Sequence, residues 1–216
     1  ARSFFEKEKN PPKFKKAIAA RVILNSKSQL NINEENISLM LGSNSHIAIY
    51  PINKKKKLNM VCIMRCKKYD PDNTKQLIKD LILKQNPQLK NLFEAEIKTW
   101  PLYFTPKILP STNKKVFYIG DAFNGLLPTM AQGAGQSIES AYEIFNLLKE
   151  DKLEDSNDYF KMRSKRVKIV RKRSNLNFFA FHLSTSVAQK IRNIFLKFLV
   201  KRSKFLKGYL GKVYKN

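Results

Sequence analysis

The stretch Ile119-Gly-Asp-Ala-Phe-Asn-Gly-Leu-Leu-Pro-Thr-Met-Ala-Gln-Gly-Ala-Gly-Gln-Ser-Ile-Glu-Ser-Ala141 decides the fold of this chain. The short apolar run Val116–Ile119 leads directly into Gly120-Asp121 and predicts a buried strand. Three glycines and a proline then predict an irregular loop: Gly125, Pro128, Gly133 and Gly135. The apolar spacing of Ser137–Lys149 predicts a helix that begins only after this loop.

Each part of this stretch has a physical use in binding a ligand. An Asp at the carboxyl end of a strand can accept hydrogen bonds from a ligand hydroxyl. Glycines at a helix entry let backbone N–H groups come close to a ligand, and the positive end of the helix dipole favours negative charge there. The alternative interpretation is an ordinary strand-loop-helix connection whose glycines only permit tight packing.

The residues before this stretch have the pattern of a β-sheet. His46–Ile52 and Leu58–Met64 alternate as strands do on either side of a polar turn, and they predict a β-hairpin. Arg21–Leu24 predicts a third strand and Trp100–Phe104 another. From Asn73 onwards the apolar spacing changes to that of a helix.

The charge of the chain is concentrated towards its end. Lys and Arg number 42 against 17 Asp and Glu, and the net charge is +25. No acidic residue follows Asp158, and the residues from Tyr159 onwards carry 17 Lys and Arg. Such a tail could meet anionic lipid or nucleic acid, it could pack its apolar face on the domain with its lysines solvated, or it could reflect lysine-rich coding with no partner.

Two cysteines, Cys62 and Cys66, match no zinc spacing and are predicted to be reduced thiols, which is compatible with a cytoplasmic location. The longest uncharged stretches are too short and too polar to cross a bilayer. No metal site is predicted.

The spacing from Gly120 to Ala141 resembles the second flavin-binding motif of the single-component flavoprotein hydroxylases, the family of salicylate, hydroxybenzoate and ubiquinone-biosynthesis hydroxylases. Met130–Glu139 is similar to the salicylate-hydroxylase branch of that family. The resemblance extends to Gly42–Pro51, to Tyr159–Arg163 and to Phe181–Leu183. Two positions depart from the family pattern: Asn124 stands where His is usual, and Ser140 where Asp is usual.

The resemblance implies a fold and a cofactor. The fold is α/β and like that of para-hydroxybenzoate hydroxylase, with a substrate sheet of α+β type beside part of a Rossmann-like FAD-binding domain. It places a mainly substrate-binding region in residues 1–110, part of the FAD-binding domain in 111–150 and closing helices with a basic amphipathic tail in 151–216. Two closing helices are predicted by periodicity, Tyr159–Arg173 and Ala188–Tyr214.

Six residues would contact FAD by this resemblance. Gly120 belongs to the Gly-Asp motif, Asp121 would hold the ribityl chain, and Pro128 would line the place where oxygen meets the flavin. The remaining three would face the pyrimidine edge of the flavin: Gly133, Ala134 and Gly135. Reduced flavin is anionic at that edge, so a helix N-terminus there would stabilise it.

The resemblance also suggests that these residues belong to a longer enzyme. Members of the flavoprotein hydroxylase family bind the ADP part of FAD on a Gly-x-Gly-x-x-Gly turn, which these 216 residues do not contain. Ala1–Phe5 resembles the residues that follow the family's mid-chain Asp-Gly segment. We therefore expect this to be a C-terminal half that, when alone, binds FAD weakly or not at all.

His46 and Tyr50 are the candidate catalytic residues. They lie four apart on a predicted strand, so their side chains point to the same face and could share a pocket. Both can accept or donate protons, as hydroxylation of a phenol requires. In the hydroxybenzoate-hydroxylase relatives the matching strand faces the aromatic substrate. Alternatively, Tyr50 is ordinary core and His46 ends a strand; His182 is predicted to be a packed residue.

The sequence is compatible with three functions. The first is a FAD-dependent monooxygenase that uses NADH or NADPH and O2 to hydroxylate a small phenolic acid. The second is a hydroxylase of a quinone precursor that makes peripheral contact with a membrane through the basic tail after Ala188. The third is a non-catalytic basic binding module with a relic flavin loop. Nucleic acid is not favoured as a partner.

Overall fold

The computed structural model describes residues 2–6, 10–25, 35–85, 87, 96–152, 156–209 and 211. The strands are β1 (Lys13–Asn25), β2 (Ser38–Leu41), β3 (Ser45–Ile52), β4 (Lys57–Arg65) and β5 (Lys98–Phe104). The helices are α1 (Arg2–Glu6), α2 (Pro71–Gln85), α3 (Gly120–Asn124), α4 (Gly133–Lys149), α5 (Ser156–Phe181), α6 (Ser186–Val200) and α7 (Ser203–Tyr209). None of the described helices is long and apolar enough to span a bilayer.

The five strands form one sheet in the order β2-β3-β4-β1-β5. The predicted hairpin is confirmed as β3 and β4, which pair antiparallel with Ile52 opposite Lys57. Its turn holds Asn53, Lys54 and Lys55 at positive φ. The third predicted strand is part of the much longer β1, and β2 was not predicted because its four residues are too few to show a period.

The two faces of this sheet differ in composition. One face packs against α2 and forms an apolar core that includes Ile18, Ile49, Met60 and Ile82. Because side chains alternate along a strand, the other face carries the intervening residues, among them both candidate catalytic residues. That second face therefore carries the candidate substrate-binding residues.

The chain divides into two compact units. One comprises residues 15–102 and 179–195 and contains most of the sheet. The other comprises residues 1–14, 103–178 and 196–216 and contains the Gly-Asp stretch. The second unit has its own apolar cluster, built on Tyr118, Phe123, Tyr159 and Val167. The division predicted from the sequence, at 110 and 150, remains a prediction.

The strand predicted over Val116–Ile119 is wrong, since these residues lie outside the sheet. Ile119 is extended, with φ −125° and ψ 161°, but a strand needs a hydrogen-bonded neighbour and the described residues place none beside it. The prediction that helix starts only after the loop is also wrong. The chain enters α3 at Gly120 and forms a short 3-10 turn at Pro128–Met130.

The helices that follow differ from their predicted bounds. The first turn of α4 already contains Gly133 and Gly135, and α5 is longer than predicted at both ends. The single helix predicted over Ala188–Tyr214 is instead α6 and α7, because the Arg202 amide bonds back to the Leu199 carbonyl at 3.0 Å and closes a tight turn. The end of that predicted helix, at 210 and 212–214, lies outside the described residues.

Candidate functional site

Gly120 makes the corner at which the chain turns from an extended run into α3. Its φ is +55°, which favours glycine, and a Cβ there would lie 2.6 Å from the hydroxyl oxygen of Ser137 on α4. Both the backbone conformation and the close approach of α4 therefore require a glycine. The next residue, Asp121, is exposed in the first turn of α3.

The N-terminus of α4 is open and has no side-chain cap. Gln132 occupies the N-cap position without a capping hydrogen bond, and no acidic residue lies in the first turn. The first N–H groups of a helix have no partner within it, so they remain available to a ligand. The arrangement suits an anionic group.

The two glycines of this first turn are not required by packing. A Cβ at Gly133 would meet nothing within 4 Å, and one at Gly135 would meet only the Gln132 side-chain oxygen at 3.6 Å, an ordinary contact. Neither residue has a positive φ. The space is thus free for a ligand to reach the backbone, as the flavin assignment to Gly133–Gly135 needs.

Arg163 holds α4 and α5 together from a fully buried position. Its guanidinium donates to the Glu139 carboxylate at 3.0 Å and to the Glu143 carboxylate at 3.1 Å. It also donates to the Ser140 hydroxyl at 3.0 Å and to two Gln136 oxygens at 2.8 Å. These bonds fix the first three turns of α4, whose N-terminus is open.

Electrostatics around Arg163 are asymmetric. Burial would raise the pKa of Glu139, but hydrogen bonds from Arg166 and Arg163 outweigh it and bring that pKa below its ordinary value. For Glu143 burial dominates and raises the pKa despite the nearby Arg163. Glu139 is thus the firmly ionised partner.

The two positions that depart from the family pattern are both buried. Ser140 is satisfied, because it accepts from Arg163 and donates to the Gln136 carbonyl at 2.7 Å. Asn124 is 3% exposed and accepts a long 3.4 Å bond from Arg171, while its amide nitrogen has no partner among the described residues. Ser140 therefore preserves the Arg163 network, whereas Asn124 keeps an unused donor.

The structure places His46 and Tyr50 on the same face of β3, on either side of Ala48. Their environments differ. His46 is 4% exposed and lies against the rings of Phe181 and His182, with centroids 5.2 and 4.9 Å away. Tyr50 is only partly buried, so it is the more accessible of the two.

His46 and His182 form a buried hydrogen-bonded pair. The His46 Nδ1 lies 3.1 Å from the His182 Nε2, which is also 3.3 Å from the Ile63 carbonyl oxygen. A carbonyl only accepts, so a proton on the His182 Nε2 satisfies both contacts and leaves the His46 Nδ1 as acceptor. Burial, followed by the neighbouring His182, lowers the pKa of His46 to about 3, and it is neutral at pH 7.

Sequence reasoning missed a polar pair on the same sheet face as Tyr50. The Arg21 Nε donates to the Asn59 side-chain oxygen at 2.5 Å, and Asn59 lies directly opposite Tyr50 in the register. The Asn59 amide nitrogen is buried without a partner among the described residues. An Asn inside an apolar strand, Leu58-Asn-Met, was the signal that could have indicated it.

No family profile matches the chain. Two 3-amino-4-hydroxybenzoate 2-monooxygenases of Streptomyces platensis, PtnB3 and PtmB3, are each 24% identical over 163 residues, covering 71% of this chain and 41% of theirs. Hispidin-3-hydroxylase of Neonothopanus nambi is 34% identical over 65 residues, which is 29% of this chain and 15% of that protein.

Solved structures match over more of the chain. Klebsiella pneumoniae HpxO complexed with FAD and uric acid covers 99% of it with a TM-score of 0.75 and 12% identity. A salicylate hydroxylase substrate complex covers 85% with a TM-score of 0.66 and 18% identity. The chain is therefore similar to part of these monooxygenases and hydroxylases. It spans 41% of the length of the curated monooxygenases, and 56% and 53% of these two solved chains.

This hydroxylase fold confirms the predicted fold class, a mixed α/β chain that corresponds to part of a larger fold. The residues assigned to FAD and to the substrate are not tested by the likeness, and they remain predictions. Their geometry in this chain is what supports them.

Proposed function

We propose that the protein containing this chain is a FAD-dependent monooxygenase that hydroxylates a small phenolic or aromatic acid with O2, using NADH or NADPH as reductant. The observation that carries the proposal is the open N-terminus of α4, with two glycines that packing does not require. A non-catalytic module would have no need to keep that space free.

The residues present fit the flavin. Gly133, Ala134 and Gly135 would offer backbone N–H groups to its pyrimidine edge, and the helix dipole would favour the negative charge of its reduced form. Asp121, exposed at the start of α3, would accept from ribityl hydroxyls, and exposed Pro128 would line the oxygen side. Bound FAD would supply the activated oxygen that the protein itself cannot.

The sheet face fits a phenolic acid. Tyr50 would exchange a proton with the phenol hydroxyl, and the Asn59 amide with the Arg21 guanidinium would orient an acidic or carbonyl group on the ring. His46, neutral and with its Nδ1 accepting from His182, would carry its own proton on Nε2 and could donate a hydrogen bond within this face. The residues of the sheet thereby position the ring and control its protons.

Coupling between reductant consumption and hydroxylation tests this assignment. In the full-length protein, Tyr50→Phe and His46→Ala are expected to leave the affinity for FAD within about twofold. Both variants should make less hydroxylated product and more peroxide per reduced cofactor consumed. For Tyr50→Phe the fall in product should be on the order of 10-fold or more. Tyr103→Phe, an exposed tyrosine on β5, is the matched control. Unchanged product yield in both variants would show that the assigned roles are wrong.

A membrane-surface hydroxylase of a quinone precursor is the second candidate, favoured by α6. This helix turns an apolar stripe outward, with exposed fractions of 54–69%: Val187, Ile191, Ile194, Phe195 and Phe198. Arg192 anchors the opposite side through the carbonyls of Ala180, Phe181 and Leu41. Exposed Lys190 and Lys197 beside the stripe suit anionic lipid.

Vesicle co-sedimentation tests the second candidate. The chain should sediment with anionic vesicles and much less with neutral ones, and Ile194→Asp should weaken the binding by about 10-fold or more because a charge enters the apolar stripe. Ile138→Asp is the control, because Ile138 is an exposed apolar residue that lies on α4 rather than on α6. Equal sedimentation of the two variants would remove the support for this candidate.

A further inference from the structure

The 3-10 turn Pro128–Met130 ends in a conformation that needs support from outside. Ala131 has φ 51° and ψ 29°, the left-handed region, and its amide bonds to the Pro128 carbonyl at 3.0 Å. A non-glycine residue pays about 1 kcal/mol or more for this conformation, and it persists where neighbours hold it in place. The neighbours of the turn are therefore informative.

Helix α5 supplies the first layer of support. The Thr129 hydroxyl donates to the Ser174 carbonyl at 2.6 Å, and the Ser174 hydroxyl donates to the Leu127 carbonyl at 2.6 Å. One helical turn further on, the Asn177 amide nitrogen donates to the Thr129 carbonyl at 3.2 Å. The turn is thus tied to α5 by side chains.

Helix α7 supplies the second layer. The Tyr209 hydroxyl donates to the Asn177 side-chain oxygen at 2.7 Å. The oxygen and the nitrogen of the Asn177 side-chain amide lie on opposite sides of the same planar group. When the oxygen accepts from Tyr209, the nitrogen is therefore directed at the Thr129 carbonyl. The tyrosine thereby selects one of the two orientations of the Asn177 amide.

Tyr209 is itself held firmly. The Arg173 guanidinium lies 5.0 Å from the centre of its ring and donates to its backbone carbonyl. Phe205 stacks on the same ring, with centroids 5.4 Å apart and an angle of 15° between the planes. Burial raises the pKa of Tyr209, although Arg173 partly opposes this, so its hydroxyl remains a donor at neutral pH.

We infer that Tyr209 is a positioning residue for the turn that carries Pro128, acting through Asn177. The inference rests on the proposed function, in which that turn lines the oxygen side of the flavin. It gives α7 a role in the hydroxylase that differs from any role of α6 at a membrane. Without the tyrosine hydroxyl the Asn177 amide can rotate, and the Thr129 carbonyl of the turn loses the hydrogen bond that it accepts from Asn177.

Hydrogen exchange of this chain tests the contact without any cofactor. Tyr209→Phe keeps the ring and removes only the hydroxyl, so the Ala131 amide should exchange about 3- to 10-fold faster, as expected for one lost hydrogen bond. Asn177→Ala should match or exceed this effect, and adding Tyr209→Phe to it should change nothing further. Tyr103→Phe is the control. Unchanged exchange in Tyr209→Phe would overturn the inference.

Turnover of the full-length protein tests the consequence. Tyr209→Phe should keep its FAD affinity and its KM for the aromatic substrate within about twofold, whereas product per reduced cofactor falls about 3- to 10-fold and peroxide rises. Full coupling in Tyr209→Phe, with an active unaltered protein, would overturn the inference. Absence of hydroxylation by the unaltered protein with any aromatic acid would instead refute the proposed function.

Discussion

Replacing Arg163 by methionine is expected to lower the free energy of unfolding by about 3 to 5 kcal/mol, the cost of removing one partner from a buried ion pair. The side chain is fully buried and pairs with two carboxylates, of which Glu143 would be left with its pKa raised further. Glu139 would keep Arg166. Urea unfolding of the chain at pH 7, followed by circular dichroism, measures the change.

The control for this variant lies on the same helix. Lys161 pairs with Asp158 at 3.1 Å, but both side chains are mostly exposed, so Lys161→Met should cost less than about 1 kcal/mol. Adding Glu143→Gln to Arg163→Met should recover part of the lost free energy of unfolding, because it removes the carboxylate that the first substitution leaves unpaired. If Arg163→Met costs no more than Lys161→Met, Arg163 does not hold α4 as described.

The largest effect on ligand binding is expected from alanine at Gly133 and Gly135 together. In the chain alone the change should be neutral or stabilising by up to about 1 kcal/mol, since the added Cβ atoms meet nothing closer than 3.6 Å and alanine favours helix. In the full-length protein the same methyl groups would occupy the space assigned to the flavin. FAD affinity should then fall on the order of 100-fold, which corresponds to about 2.7 kcal/mol.

Gly208→Ala on α7 is the matched control, because a Cβ there also meets nothing within 4 Å. It should leave FAD affinity unchanged. Thermal unfolding and fluorescence titration with FAD give the two readouts. A double variant that gains stability and still binds FAD normally would show that the glycines do not face the flavin.

The β-hairpin was predictable because its information is local. The alternation over His46–Ile52, the lysine-rich turn and the second alternation over Leu58–Met64 all follow from period two. The same rule failed at Val116–Ile119, where the apolar run is real but a strand also needs a partner. The first turn of α4 was missed because Gly133 and Gly135 are poor helix formers that only their surroundings place in a helix.

The candidate site likewise has a part that was identified from the sequence and a part that was not. The motif from Gly120 to Gly135 was identified by its resemblance to the flavoprotein hydroxylases, and its contacts with FAD remain a prediction. The His46–His182 pair could not, because the two residues lie 136 apart in sequence and meet only through the fold. The Arg21–Asn59 contact depends in the same way on the register between β1 and β4.

A structure of the full-length protein with FAD tests the central claim most directly. We expect the pyrimidine edge of the flavin within hydrogen-bond distance of the backbone N–H groups of Gly133–Gly135, and Asp121 on the ribityl chain. Protein that binds no FAD, or that binds it with the N-terminus of α4 still open to solvent, would contradict the claim that this chain carries the flavin-facing part of a hydroxylase.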